Sequence, residues 1–444
     1  MNVLFESPLG GLLARPWLDV AGLFGLRRYM PLSRLWAAAN AAGEDTARFR
    51  AEMGSLPAFW SSVPLRPLLA HHGRLKRSAD AARQAWEAAI FEAGQDSDPG
   101  ALDQRRRRAA TLHQMTRGAF VPLLFPRRPP LARWRIDPPA ILAADPATLY
   151  GTAFDAGSIE VSRRFVRAGL SECWLRAPTP SPLLAKRPGS EALYARMIEP
   201  AEGSGETLIF GSGLCLELDQ FVAGRDSGRL LAAMGWRVIE PISPYHGMRT
   251  MPGFYGGEPF FALAPGGTLD LIAGQAMETA LLTAWARGRF GGKVAVAGIS
   301  LSSFVAQQVA SHCDRWPAEA RPDAVMLISH SGRMEEVTFG GELPALLGVD
   351  RALERAGWTR EALAPLSQAI DPSEHPALPP SHIVSVLGET DRWVPYPHGF
   401  ALAQQWRLPG RNVFRYRLGH LGMPVQLMRD QAPFERVRQV LREG

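Results

Sequence analysis

Lysine is almost missing from this chain: of 49 basic residues only Lys76, Lys186 and Lys293 are not arginine. Cysteine is equally scarce. Cys173, Cys215 and Cys313 are odd in number and stand at no metal-ligand spacing, so a zinc module is not expected and they suit a reducing compartment as small buried hydrophobes. No run of 18 apolar residues occurs, and no segment reads as a membrane-spanning helix. The first residues include Glu6 and lack a basic stretch ahead of an apolar core, which argues against a cleaved signal; the expected location is cytoplasmic. No G-x-G-x-x-G follows a first strand, so neither a dinucleotide nor any other cofactor is expected, and no metal. Four arginines at 105–108 form the densest basic run, able to meet phosphates or anionic lipid headgroups. No interleaved aromatics accompany them, and nucleic acid is not an expected partner.

What is present describes a globular protein long enough to bury a large core. The chain has 444 residues, 46% hydrophobic and 21% charged, with a net charge of +6. Residues 10–118 read as helical, with an alanine-rich stretch at 66–94 that has no proline past Pro67. The apolar, arginine-dotted segment 8–36 could lie on a membrane surface as a peripheral contact, though packing on the protein's own core is the expectation. Prolines across 125–146 forbid a continuous helix. From about 150 onward, strands alternate with helices, the pattern of a mostly parallel, doubly wound sheet. Strands are expected at 192–198, 207–210, 236–242, 293–298, 323–329, 382–388 and 412–418, and helices at 217–234, 269–287, 399–406 and 434–443. The expected organisation is therefore a helical N-terminal region (1–120), a proline-rich linker (121–148) and an α/β domain (149–444) that carries a helical cap insert (331–380).

The stretch at 293–310, KVAVAGISLSSFVAQQVA, reads as strand, sharp turn and helix. A nucleophile elbow has G-x-S-x-G at such a turn, with small residues two before and two after the nucleophile because strand and helix approach closely. With Ser300 as nucleophile those positions are Gly298 and Ser302, and both fit. With Ser302 one would be Phe304, and with Ser303 they would be Leu301 and Val305; each collides. Ser300 is the candidate. Two further residues follow strands in the same way: Asp391 after 382–388 and His420 after 412–418. Chemistry in such sheets sits beyond the C-terminal strand ends. A serine hydroxyl needs a base, imidazole suits that work near neutral pH, and a carboxylate behind the ring holds its tautomer. Glu389 competes with Asp391 for the carboxylate, and His246, His312, His330 and His398 compete with His420, which alone has a strand directly ahead and the right order. For the developing oxyanion the candidate donors are the backbone of Leu301 and, in the glycine-flanked loop at 208–215, Ser212 and Gly213.

With these residues in view, the region from about 150 to 444 resembles an α/β-hydrolase. More narrowly, PYHGMR (244–249), AMETALLTAW (276–285) and AGISLSS (297–303) resemble the α/β-hydrolase domain-containing protein 18-like family. This chain has Ser302 where that family carries glycine and His246 where it carries a second tyrosine. The resemblance implies a serine hydrolase acting on a small-molecule or lipid acyl ester. It would place Tyr245, His246 and Arg249 near the substrate pocket, with Arg249 either holding an anionic group or bracing the loop. A peptidase or acyltransferase uses the same triad, and a fold relative that binds without turnover is the alternative from another class. The oligomeric state and the purpose of residues 1–120 are not legible.

Overall fold

The computed structural model describes residues 15–54, 64–92, 97–125, 129–139, 146–151, 155–214 and 226–443. Cys215 and the first half of the helix expected at 217–234 lie outside them; in the described half the helix runs Ser227–Ala233.

Among the described residues ten strands form one sheet: β1 (Glu160–Val161), β2 (Phe165–Arg167), β3 (Leu170–Pro178), β4 (Ala192–Pro200), β5 (Thr207–Gly211), β6 (Arg237–Pro241), β7 (Val294–Ile299), β8 (Ala324–Ile328), β9 (Ile383–Gly388) and β10 (Val413–Tyr416). Their order is β1-β3-β4-β6-β5-β7-β8-β9-β10, with β2 paired to β3. From β6 to β10 every pairing is parallel, whereas β4 runs antiparallel to both β3 and β6. This is the α/β-hydrolase fold. The central strands β5, β8 and β9 are buried along their whole length, as strands covered on both faces must be. β3 escaped the sequence reading because Glu172 and Arg176 break its apolar run. Glu172 is nonetheless buried, held by Arg167 at 3.1 Å and by Arg229.

Among the described residues four α-helices of eight residues or more precede the sheet: α1 (Trp17–Ala42), α2 (Thr46–Met53), α3 (Leu65–Phe91) and α4 (Pro99–Met115). Side chains start two of them. Asp45 accepts from the N–H groups of Ala47 and Arg48, and Asp98 from that of Gly100. α1, α2 and α3 share an apolar core with the 3-10 helix Thr116–Leu124 that follows α4; it includes Leu35, Trp36, Phe49, Leu69 and Phe120. α3 docks on β3 through Trp86, edge-on to Trp174 at 5.1 Å, with the Arg106 guanidinium 4.2 Å above the Trp86 ring. Arg106 is buried and pairs with Asp103 at 2.7 Å, and Arg107 pairs with the same carboxylate at 2.6 Å. The arginine run is thus split, with only Arg105 and Arg108 fully on the surface.

On one face of the sheet, α5 (Gly266–Phe290) is buried all round from Gly267 to Ala286, and α6 (Leu301–His312) is buried throughout. On that side four short helices stand between β8 and β9: α7 (Met334–Gly340), α8 (Glu342–Leu347), α9 (Val349–Arg355) and α10 (Arg360–Ile370). The opposite face packs Leu208, Phe210, Trp236 and Val238 against Val437 and Val440 of the last helix, Ala432–Glu443.

Candidate active site

β7 ends at Ile299, and the chain turns into α6 through Ser300, whose φ of 55° and ψ of −116° lie outside the regions favoured by L-residues. The turn is this tight because nothing stands between strand and helix. A Cβ on Gly298 would lie 2.0 Å from the Ser302 carbonyl oxygen. The three serines of the turn have different partners. Ser302 donates its hydroxyl to the Ser212 carbonyl at 2.6 Å, and Ser303 donates to the Ser300 carbonyl at 2.5 Å. Only Ser300 turns its hydroxyl toward an imidazole, with Oγ 2.8 Å from His420 Nε2.

His420 comes from the loop after β10. Its Nδ1 is 2.7 Å from Asp391 Oδ2, and its ring stacks on Trp393 with centroids 5.3 Å apart. Asp391 is held in turn: its Oδ1 accepts the N–H groups of Trp393 and Val394, both at 3.0 Å. Glu389 points elsewhere, 3.8 Å from exposed Arg417. Burial alone would lower the His420 pKa, but the charge and hydrogen bond of Asp391, joined by the charge of Asp19, outweigh it and raise the value above 6.5. A hydroxyl bonded to an imidazole that is backed by a carboxylate can give up its proton as it attacks an electrophile.

The competing histidines stand apart from Ser300. His330 bonds Ser385 Oγ at 2.8 Å, and burial pushes its pKa down to about 3. His312 stacks on Tyr150 at 4.3 Å, and His398 lies 3.8 Å from Glu336.

Asp19 was not anticipated. This α1 residue accepts the His420 N–H through Oδ2 at 2.6 Å and the Leu421 N–H through Oδ1 at 2.8 Å. An acidic residue in the first turn of a helix is so often a dipole partner that no sequence signal singles this one out.

The oxyanion candidates are placed as follows. Leu301 opens α6, where its N–H has no intrahelical acceptor, and it lines the cavity before Ser300. Ser212 and Gly213 are buried in the loop after β5, with the Ser212 carbonyl taken by Ser302; from this loop Leu214 reaches the cavity wall.

The three residues expected near the substrate pocket are all buried. Tyr245, His246 and Arg249 do not line the cavity. Arg249 has no exposed surface and donates to both Glu278 oxygens, at 2.7 and 2.8 Å, and to the carbonyls of Ile242 and Ser190. Its charge is met inside the protein by that of Glu278. Tyr245 reaches Asp270 at 3.4 Å. His246 meets the Pro244 carbonyl at 2.9 Å, with burial lowering its pKa to about 4. Asp270 and Glu278, which pair with Tyr245 and Arg249, lie on α5, out of reach of a local pattern.

The cavity encloses about 1080 Å³ between atoms, part of it open to solvent, with Ser300 and His420 on its wall. Leu343, Leu347, Leu353, Leu363, Leu366 and Ile370 face it from α8 to α10, and Phe260 and Phe304 from the body. Asp371, at its edge, accepts the Met334 N–H at 2.7 Å, and burial raises its pKa to about 6. Among the described residues no group of three histidine, cysteine or acidic side chains could hold a metal, and no helix is long and apolar enough to cross a membrane.

No protein-family model and no curated protein matches the chain. Solved structures similar to it include acetyl xylan esterase from Paenibacillus sp. R4, with 13% identity, 63% of this chain and 87% of that one covered, and a TM-score of 0.45. Acetyl xylan esterase 1 from Thermoanaerobacterium sp. is similar at 15% identity over 61% and 87%, TM-score 0.41. Brefeldin A esterase, a bacterial homologue of human hormone sensitive lipase, is similar at 20% identity over 67% and 80%, TM-score 0.39.

Proposed function

We propose that the protein is a serine hydrolase that cleaves a carboxylic ester with an apolar acyl group through an acyl-enzyme on Ser300. One observation carries this reading: the Ser300 hydroxyl, on a strained turn at the wall of an apolar cavity, is 2.8 Å from an imidazole whose other nitrogen is 2.7 Å from a carboxylate. In this reading His420 Nε2 takes the hydroxyl proton as Oγ bonds to the ester carbon. Asp391 stabilises the imidazolium, and the oxyanion accepts from Leu301 N–H and from an amide of the Ser212–Gly213 loop. The intermediate then expels the alkoxide, which takes the proton back from His420 Nε2 and leaves as alcohol. A water, deprotonated by His420, attacks the acyl carbon and releases the carboxylic acid and Ser300.

The leucine-rich wall supports an acyl chain as the group accommodated, with the insert at 331–380 acting as a cap in an α/β domain of 149–444, behind a helical region of 1–120 and a linker of 121–148. The motifs at 244–249, 276–285 and 297–303 support membership of the α/β-hydrolase domain-containing protein 18-like family. Exposed Trp17, Val20 and Phe24 beside Arg27 and Arg28 on α1 support peripheral contact with a membrane that presents a lipid ester to a cytoplasmic enzyme.

Labelling with a fluorophosphonate tests the reading. Wild type and Ser302→Ala are expected to label, and Ser300→Ala to stay dark. No label on folded wild-type protein would overturn it in favour of a binding protein, and label lost only in Ser302→Ala would move the nucleophile.

A further inference from the structure

The loop that carries His420 leaves β10 at Tyr416 and enters a helix at Gly422. Its backbone is buried around His420, so its N–H groups need acceptors there. Two of them, on His420 and Leu421, are satisfied by the two oxygens of a single carboxylate, Asp19, about 400 positions upstream. Asp19 is 5% exposed and occupies the first turn of α1.

Three neighbouring fits show how closely α1 is seated. A Cβ on Gly419 would come within 2.2 Å of Asp19 Oδ2. One turn further along α1, a Cβ on Gly22 would lie 2.3 Å from Leu421 Cδ1 and 3.3 Å from the Trp393 ring. Trp393 in turn stacks on the His420 imidazole. Helix, loop and ring therefore form one packed unit with no slack between them. Burial raises the Asp19 pKa above 3.8, and the N–H groups of Leu421 and His420, one on each oxygen, oppose that rise by favouring the carboxylate.

We propose that Asp19 is a positioning residue, whose carboxylate holds the backbone of His420 and so sets the imidazole against Ser300, making helix α1 part of the reaction centre. The proposal rests on the reading of Ser300, His420 and Asp391 given above. A carboxylate that only fastened a loop would serve stability. This one grips the amide of the base itself, and it acts on the charge of the ring, since among the described residues the charges that bear on His420 are those of Asp391 and Asp19.

The experiment compares wild type with Asp19→Asn, which keeps the shape and removes the charge, and with Gly419→Ala, which pushes the carboxylate aside without altering it. Each is assayed on p-nitrophenyl esters after titration of active sites with a fluorophosphonate, so that unfolded protein does not count. In parallel, the His420 imidazole is titrated by NMR in histidine-labelled protein, a readout that needs no turnover. In both variants kcat is expected to fall about ten- to a hundredfold, the scale of a misplaced catalytic group, with KM little changed. In Asp19→Asn the His420 titration and the acid limb of kcat/KM should both move to lower pH, because removing a nearby negative charge makes the imidazolium less favourable. A loss of activity that vanishes on normalising to active sites, with an unmoved His420 titration, would make Asp19 a purely structural residue and end the proposal. If wild type neither labels nor hydrolyses esters while the titration still moves in Asp19→Asn, the ester-hydrolase reading fails, and Asp19 has no positioning role in that reaction although its coupling to His420 is real.

Discussion

Gly211, the last residue of β5, lies directly against Ser302 in the first turn of α6. A Cβ on Gly211 would sit 2.5 Å from Ser302 Cβ and 2.7 Å from its hydroxyl. The elbow thus has serine where a glycine would be usual, and the glycine stands on the neighbouring strand. The exchange also has a use, because the Ser302 hydroxyl ties the elbow to the Ser212 carbonyl at 2.6 Å.

Gly211→Ala should therefore cost more than an ordinary overpacked methyl, at or above the upper end of about 1–3 kcal/mol, since both neighbours are fixed by backbone. Ser302→Gly should lose one hydrogen bond worth about 1 kcal/mol and still label at Ser300. Urea unfolding of the two variants checks this; equal stability of Gly211→Ala and wild type would mean that the strand and the elbow do not meet as described.

The pH dependence follows from His420. In the proposed reaction His420 works as neutral imidazole, and its pKa is raised above 6.5, so kcat/KM should rise with pH through a midpoint above that value. The same pair contributes to folding stability with the opposite trend: fully present below the unfolded value near 6.5, lost as pH rises through the higher folded value. In Asp391→Asn the rate should drop by about 10⁴ and the midpoint should fall. Rate profiles from pH 5 to 9 measure both, and an acid limb well below 6.5 in wild type would contradict the geometry.

Chain length should matter as the cavity dictates. Each further methylene buried against Leu343, Leu347 or Leu366 contributes about 0.8 kcal/mol, a factor of about four in kcat/KM, until the space is filled. Leu366→Trp should move the optimum to shorter esters without altering the rate on acetate. A series of p-nitrophenyl esters tests this, and a flat series would remove the acyl chain from the cavity.

Arg249 and Glu278 are both without exposed surface, 2.7 Å apart. Arg249→Ala leaves a buried carboxylate unpaired and should cost about 3–5 kcal/mol, whereas Arg249→Met combined with Glu278→Leu should be much milder. Thermal unfolding reads the difference. KM for small esters should stay as in wild type, because neither residue lines the cavity; a raised KM would return Arg249 to the pocket.

The parallel strands were legible because each is a short apolar run followed by a turn, and β7 to β10 lie within two residues of the segments expected. Ser300, Asp391 and His420 could be singled out because each follows such a run, and the structure brings their side chains within hydrogen-bond distance. β3 was hidden by Glu172 and Arg176, whose partners sit on other elements. The role of Arg249, holding an anionic group or bracing the loop, stayed open because a lone arginine in a loop carries no sign that Glu278, 29 positions on, pairs with it. Asp19 was invisible for the same reason at a larger separation.

Local periodicity, small residues around a serine and strand-end placement are properties of neighbouring residues, and they determined the fold class and the chain order of the three site residues. Which charges are used up inside the protein, what seats the turn at Ser300 and what holds the His420 loop depend on contacts between residues tens to hundreds of positions apart. Those contacts exist only once the sheet has brought its strand ends together and α1 has closed against the His420 loop, so only the tertiary structure decided them.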